Sequence, residues 1–263
     1  MIKIKDYIRA GSLEEAYELN QKRSACILGG MLWTKMGQRQ VQTAIDLSAL
    51  GLDTIEETET EFRIGAMVSL RQLELHAGFT AYSEGANKEA LRHIVGVQFR
   101  NLATVGGSVF GRFGFSDVLT LLLVMDSYVE LYKGGIVPLA DFVNIPYDRD
   151  ILVRIIVKKT AAHYSYKSVR ISKTDFPVLT CAAALTQEGV QAAVGARPAK
   201  AALVKDAEQL ATLPMTAEKA QAFAEYAAGL LPTETNPRGS AAYRTHLIKV
   251  LTARCLTELG GKA

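Results

Sequence analysis

Asn101-Leu102-Ala103-Thr104-Val105-Gly106-Gly107-Ser108-Val109-Phe110-Gly111-Arg112-Phe113-Gly114-Phe115-Ser116-Asp117 is the stretch on which the reading of this chain turns. Thr104 and Val105 favour an extended backbone. The two glycines that follow remove every Cβ where the chain could press against something flat or charged. With the Ser108 hydroxyl beside them, successive bare N–H groups would form a nest suited to a phosphate or pyrophosphate. An earlier double glycine has a similar setting: Ala25-Cys26-Ile27-Leu28 is a short apolar run, and Gly29-Gly30 leads into Met31-Leu32-Trp33-Thr34-Lys35-Met36. Read as strand, glycine pair and short helix, this segment also presents unpaired N–H groups to an anion. Either pair alone is equally well a tight turn. Two of them, about 75 residues apart and each after an apolar run, can clamp one extended ligand from both sides.

At 263 residues and 49% hydrophobic content, the chain can build a sizeable core as one large domain or as two or three smaller ones. Thirty Lys and Arg against 27 Asp and Glu leave a net charge of only +3, and the basic residues are spread out, which argues against a nucleic-acid partner. Charges interrupt Met1-Ile2-Lys3-Ile4-Lys5-Asp6 where a signal peptide needs an apolar core. The longest apolar stretch, Val118 to Met125, is broken by Thr120, so neither a membrane span nor secretion is expected. Cys26, Cys181 and Cys255 lie far apart and read as small apolar residues in a reducing, cytoplasmic setting. No His pair has i, i+4 spacing, so no metal site is expected.

Along the chain, Ser12 caps an amphipathic helix from Leu13, with Glu15 placed for a capping box. Strands are expected at 25–28, 44–47 and 61–66, a helix capped by Ser69, and another helix at 88–95. Val118 to Met125 is apolar all round and therefore buried on every face. Tyr128 to Val137 is a hairpin about Lys133-Gly134-Gly135, and a further strand runs from Asp150 to Lys158. Beyond a boundary near residue 159 come strands at 161–170, 177–185 and 191–194, then helices at 216–231 and 240–259. The expected domains are 1–159, in two parts of about 1–52 and 53–159, and 160–263.

Five ordered segments resemble the FAD-binding (medium) subunits of the molybdenum hydroxylases, the xanthine dehydrogenase and carbon monoxide dehydrogenase flavoprotein type. They are Ile27-Leu28-Gly29-Gly30; Arg100 to Ser108; Ser116-Asp117 before an apolar helix; Tyr166-Lys167 with Arg170 and Asp175; and Arg238-Gly239-Ser240 with Tyr243-Arg244 and His246-Leu247. The resemblance implies an α+β fold: a two-part FAD-binding domain of the PCMH and vanillyl-alcohol oxidase type, followed by a C-terminal carbon monoxide dehydrogenase flavoprotein-like domain. It implies FAD as cofactor. It places Ile27, Leu28, Gly29, Gly30, Met31, Leu32 and Trp33, with Thr104, Val105, Gly106, Gly107 and Ser108, at the FAD pyrophosphate. Asp117 would accept hydrogen bonds from FAD hydroxyls, Leu152 and Lys167 would lie against the flavin ring, and Ile94 would pack near the adenine.

From position alone, Asp117 serves equally well as the cap of a helix beginning at Val118, and Lys167 as a solvated charge. The chain departs from the family at Met31 and Leu32, where relatives carry polar side chains, and at Phe110 to Phe115, where Arg112 could pair with the pyrophosphate or an acidic partner surface. Tyr164 and Tyr166 flank the place where relatives carry an aromatic.

The function implied is electron transfer: FAD would take electrons from [2Fe-2S] clusters on a small partner subunit and pass them to an acceptor such as NAD. Substrate oxidation would occur on a large subunit holding the molybdenum cofactor. No catalytic residue is assigned. The alternatives are a stand-alone flavin oxidase or reductase, and a flavin-free scaffold or assembly protein of the same fold.

Overall fold

In the computed structural model, which describes residues 1–262, three sheets organise the chain in order. The first is parallel: β1 (Lys3–Arg9), β2 (Ala25–Leu28) and β3 (Gln40–Asp46), with β3 in the middle. The second comprises β4 (Ile55–Glu57), β5 (Glu61–Gly65), β6 (Ser127–Leu131), β7 (Gly135–Pro138) and β8 (Leu152–Lys158), antiparallel in the order β4-β5-β8-β6-β7. The third comprises β9 (Ala162–Arg170), β10 (Pro177–Thr186), β11 (Gly189–Gly195) and β12 (Ala202–Lys205), an antiparallel meander. Among the described residues no helix is long and apolar enough to cross a membrane.

β1 was not expected, because its alternating charges leave it exposed along nearly its whole length; it is an edge strand held by parallel pairing to β3. The Leu13–Asn20 helix forms as expected, and the Ser12 hydroxyl accepts from Glu15 N–H at 3.1 Å. Glu15, however, reaches back to the Gly11 N–H at 2.8 Å, one residue earlier than a capping box requires. The short helix expected over 31–36 shrinks to a single turn, Thr34–Met36, because Met31 takes a left-handed backbone with φ of 59°. Gly106 and Gly107 lie not in a loop after a strand but in the first turn of a helix, Val105–Phe110, of which Thr104 is the extended cap.

Period-two alternation in the third sheet decides what its side chains can reach. Tyr164, Tyr166, Ala182, Ala184 and Ala193 face the second unit and join its core with Val118, Leu119 and Leu122. Leu179, Cys181, Ala183 and Val194 face the other way, under the Ala217–Leu230 and Ala241–Gly260 helices, with Phe223, Ile248 and Cys255. The Asp117–Leu122 helix is buried at every position, as its apolar run requires. Arg244 is buried without a carboxylate partner and donates to main-chain carbonyls of Val178 and Glu234 and to Asn236 Oδ1, tying the 234–239 loop to β10.

One buried ion pair shapes the cleft described below. Arg100 meets Glu74 at 2.8 Å (Nε to Oε2) and donates from Nη1 to the Ile94 carbonyl at 3.1 Å; the two charged side chains are only 5% and 8% exposed. Arg71 also holds Glu74, at 2.8 Å. Burial works to raise the Glu74 carboxyl, but the two arginines outweigh it and hold it below its ordinary value. Arg100→Met is expected to cost about 3 kcal/mol, the lower end for breaking a buried pair because Arg71 remains. Urea unfolding with an unchanged denaturant slope would read this as a shift of midpoint alone.

Candidate FAD-binding cleft

Where the three units meet, a cleft of about 740 Å³ runs along β2 and between the two double-glycine segments. One wall is 25–34 and the other includes 103–104 and 106–108; Ile94, Val95, Phe99, Met67, Val118 and Leu152 add apolar surface. The two glycine segments touch through main chain. A Cβ on Gly30 would lie 1.8 Å from the Leu102 carbonyl oxygen, and one on Gly29 would lie 2.9 Å from Thr104 Oγ1. Only residues without side chains let the loops close this far.

The two loops are not equivalent as anion donors. In the second, the N–H groups are already engaged: Val105 to Val68 O, Gly106 to Ala66 O, Ser108 to Thr104 O, and Gly107 to Thr104 Oγ1 at 3.1 Å. The expected nest of bare N–H groups is therefore absent there, because the segment spends its donors on β5's neighbours and on its own helix cap. In the first loop, by contrast, the N–H groups of Gly29, Gly30, Met31, Leu32 and Trp33 find no acceptor among the described residues. These five residues are exposed or half-buried, so their consecutive unpaired donors at the wall of a cleft are open to an acceptor from outside the chain, water or a bound anion. The left-handed turn at Met31 is the kind of backbone that gathers such groups into a concavity.

Asp117 also lines the cleft, 4% exposed, and Ser116 rather than Asp117 caps the helix that follows. Its Oδ1 accepts from the Tyr166 hydroxyl at 2.5 Å and pairs with Arg170, whose Nη1 donates to the Asp175 carbonyl at 2.6 Å. Burial pushes the Asp117 carboxyl up against the pull of Arg170 and Tyr166, and burial beside Asp117 pushes the Tyr166 phenol far up. Tyr166 is therefore a neutral hydroxyl donor. The other Asp117 oxygen makes no bond to another residue among those described.

Of the residues singled out from the sequence, Ile27, Leu28, Gly29, Gly30, Met31, Leu32, Trp33, Ile94, Thr104, Gly106, Gly107, Ser108, Asp117 and Leu152 all line this one cleft. Two do not. Val105 is wholly buried beneath it, in the core. Lys167 stands on the face of β9 opposite Tyr166, turned toward the last helix, where it pairs with Glu258 at 2.6 Å. Strand alternation puts Lys167 and Tyr166 on opposite faces, and Lys167, expected against the flavin ring, is not among the residues that line the cleft. Neither Tyr164, bonded to the Tyr82 hydroxyl at 2.7 Å, nor Tyr166 forms the cleft wall. Arg112 does not reach it either: it is buried with its guanidinium 4.0 Å from the centre of the Phe142 ring and 4.5 Å from that of Tyr147. Arg170, Phe99, Phe115 and Phe176 do line it, and the sequence reading did not assign them there. The signal for Arg170 was its even spacing from Tyr166 on a strand.

The family described as the FAD binding domain in molybdopterin dehydrogenase matches residues 2–159, and the CO dehydrogenase flavoprotein C-terminal domain matches residues 164–259. The chain belongs to the FAD-binding, medium-subunit family of the molybdenum hydroxylases. The expected α+β architecture, a FAD-binding domain followed by the flavoprotein C-terminal domain, is thereby borne out, as is FAD as its cofactor. Among relatives of this flavoprotein, protein YgfM of Escherichia coli K12 is 29% identical over 258 residues, covering 95% of this chain and 94% of that protein. The nicotine 6-hydroxylase medium subunit of Paenarthrobacter nicotinovorans is 27% identical, with 97% of each covered. In fold, a chain of carbon monoxide dehydrogenase from Hydrogenophaga pseudoflava superposes with a TM-score of 0.86 at 22% identity, over 98% of each chain.

Proposed function

We propose that this chain is the electron-transfer subunit of a molybdenum hydroxylase complex, with FAD in the cleft between its two glycine segments. The observation that carries the reading is the row of five unpaired N–H groups, Gly29 to Trp33, facing a second segment packed so tightly that only glycine fits. A diphosphate is the acceptor such a row suits, and it needs no side-chain donor at Met31 or Leu32. Thr104 and Ser108 line the facing wall with their hydroxyls engaged in the helix cap, Asp117 offers its free carboxylate oxygen to ligand hydroxyls, and Ile94 and Leu152 supply apolar surface for the ring systems. Bound flavin would supply the redox chemistry, linking a one-electron iron–sulfur donor to a two-electron acceptor such as NAD. The protein's part is binding, orientation and exclusion of water.

The partners we assign are an iron–sulfur small subunit and a large subunit holding the molybdenum cofactor, in keeping with a relative that is the medium subunit of a hydroxylase. The three free cysteines suit a cytoplasmic setting. We further place the domain limits at 1–159, in two parts meeting near residue 52, and 160–263.

Purified chain mixed with FAD and freed of excess is expected to keep the visible bands of protein-bound flavin, and to lose them when Gly106 and Gly107 are both replaced by valine. A colourless wild-type chain with native circular dichroism would refute FAD binding by the chain itself.

A further inference from the structure

Trp33, the only tryptophan, sits at the end of the row of free N–H groups. It is 40% exposed, yet its ring meets three phenylalanines contributed by the two other units. Phe99, from the Val97–Leu102 helix, is at 5.8 Å; Phe115, just before Asp117, is at 5.6 Å; and Phe176, in the turn between β9 and β10, is at 5.1 Å. Phe176 and Phe115 meet edge to face at 4.6 Å, and Phe113 stacks on Phe115 at 5.3 Å. Phe176 is itself fixed: its N–H donates to Asp175 Oδ1 at 2.7 Å, and the Arg238 guanidinium lies 4.8 Å from its ring centre.

Between Gly30 and the Thr34–Met36 turn, the donor-bearing loop has no other aromatic anchor; its main-chain bonds are local, Lys35 N to Met31 O and Met36 N to Trp33 O, apart from Ile2 N to Lys35 O within the first unit. Met31 and the Ile2 N–H to Lys35 O bond anchor the loop to its own unit, and its contacts with the other units centre on two points, the Gly30 contact and the Trp33 ring. The second point is supplied in part from the C-terminal domain.

We propose that Phe176 is a positioning residue for the cofactor: through Trp33 it holds the first-loop N–H row against the second glycine segment, so that the C-terminal domain latches the FAD diphosphate site. The proposal rests on the FAD reading above. It makes the C-terminal domain a determinant of cofactor residence time without requiring any of its side chains to touch the diphosphate.

The test uses the full chain loaded with FAD. Phe176→Ala is expected to speed FAD dissociation about tenfold by stopped flow, and to shift the Trp33 emission of the FAD-free chain to the red as the indole loses its cover. Phe176→Tyr, which keeps the ring, is expected to restore both. Phe223→Leu serves as the control, since Phe223 is wholly buried under the C-terminal helices and outside the cleft. It should lower the melting temperature with dissociation unchanged. The proposal is overturned if Phe176→Ala leaves the dissociation rate alone, or if the two variants speed dissociation in proportion to their loss of stability. A wild-type chain that holds no FAD would remove the FAD reading and the latch together, whereas a wild type that binds and a Phe176→Ala that releases at the same rate removes only the latch.

Discussion

Gly30→Ala is expected to weaken FAD binding at least hundredfold while leaving a folded chain. The added Cβ would stand 1.8 Å from the Leu102 carbonyl oxygen, 2.5 Å from its carbon and 3.0 Å from Ala103 Cα, all main-chain atoms. No rotamer change relieves such a contact, so the loops must part by roughly 1 Å or more, and displacements of that size at a ligand-organising site cost on the order of a hundredfold. A hundredfold is about 2.7 kcal/mol. The neighbouring glycines set a graded comparison. Gly106→Ala meets the Ala66 carbonyl at 2.5 Å and should be nearly as damaging. Gly29→Ala and Gly107→Ala meet only Thr104 Oγ1, at 2.9 and 3.0 Å, and a hydroxyl can turn away; each is expected to cost less than tenfold. Titration of each variant with FAD, alongside circular dichroism, checks the order. Equal affinities for Gly30→Ala and Gly29→Ala would show that the loops do not meet in this way.

The ranking also explains what could and could not be read from residues alone. The two glycine pairs declared a shared site because glycine next to an apolar run is a backbone signal, and backbone signals survive without tertiary context. Which pair keeps its N–H groups free is a tertiary fact: Gly106 N–H goes to Ala66 O and Val105 N–H to Val68 O, acceptors some forty residues earlier. Lys167 failed for the opposite reason. A resemblance can put a residue on the right strand, but alternation decides its face, and here Tyr166 takes the inner face and leaves Lys167 to Glu258. The fourth strand of the last sheet, β12, was missed because it is only four residues long, and the exposed β1 because its alternation of charged residues buries almost nothing. The aromatic set around Trp33 was invisible because its members come from four separated segments.

Asp117 is where a structural role and a ligand role coincide, and the second large effect expected is on stability. Asp117→Ala removes the acceptor of the Tyr166 hydroxyl and the counter-charge of Arg170, whose side chain is only 6% exposed and whose Nε already lacks a partner. Stranding a buried guanidinium costs about 3–5 kcal/mol, so a large drop in melting temperature is expected. That loss would lower FAD retention by itself and would say nothing about contact with the ligand. The separation comes from removing the whole triad: Asp117→Leu with Arg170→Met and Tyr166→Phe replaces the charges and the hydroxyl by apolar groups, which in buried ion pairs is commonly neutral or stabilising. The triple variant is expected to recover most of the stability lost by Asp117→Ala. Its FAD affinity should stay about ten- to a hundredfold below wild type, the joint measure of the charge-assisted hydrogen bonds that the free Asp117 oxygen and the Arg170 guanidinium, which also lines the cleft, offer the ligand. If stability and affinity return together, Asp117 serves only to anchor Arg170 and Tyr166 between the second and third sheets, and the hydroxyls of the dinucleotide must be held by other groups along the cleft.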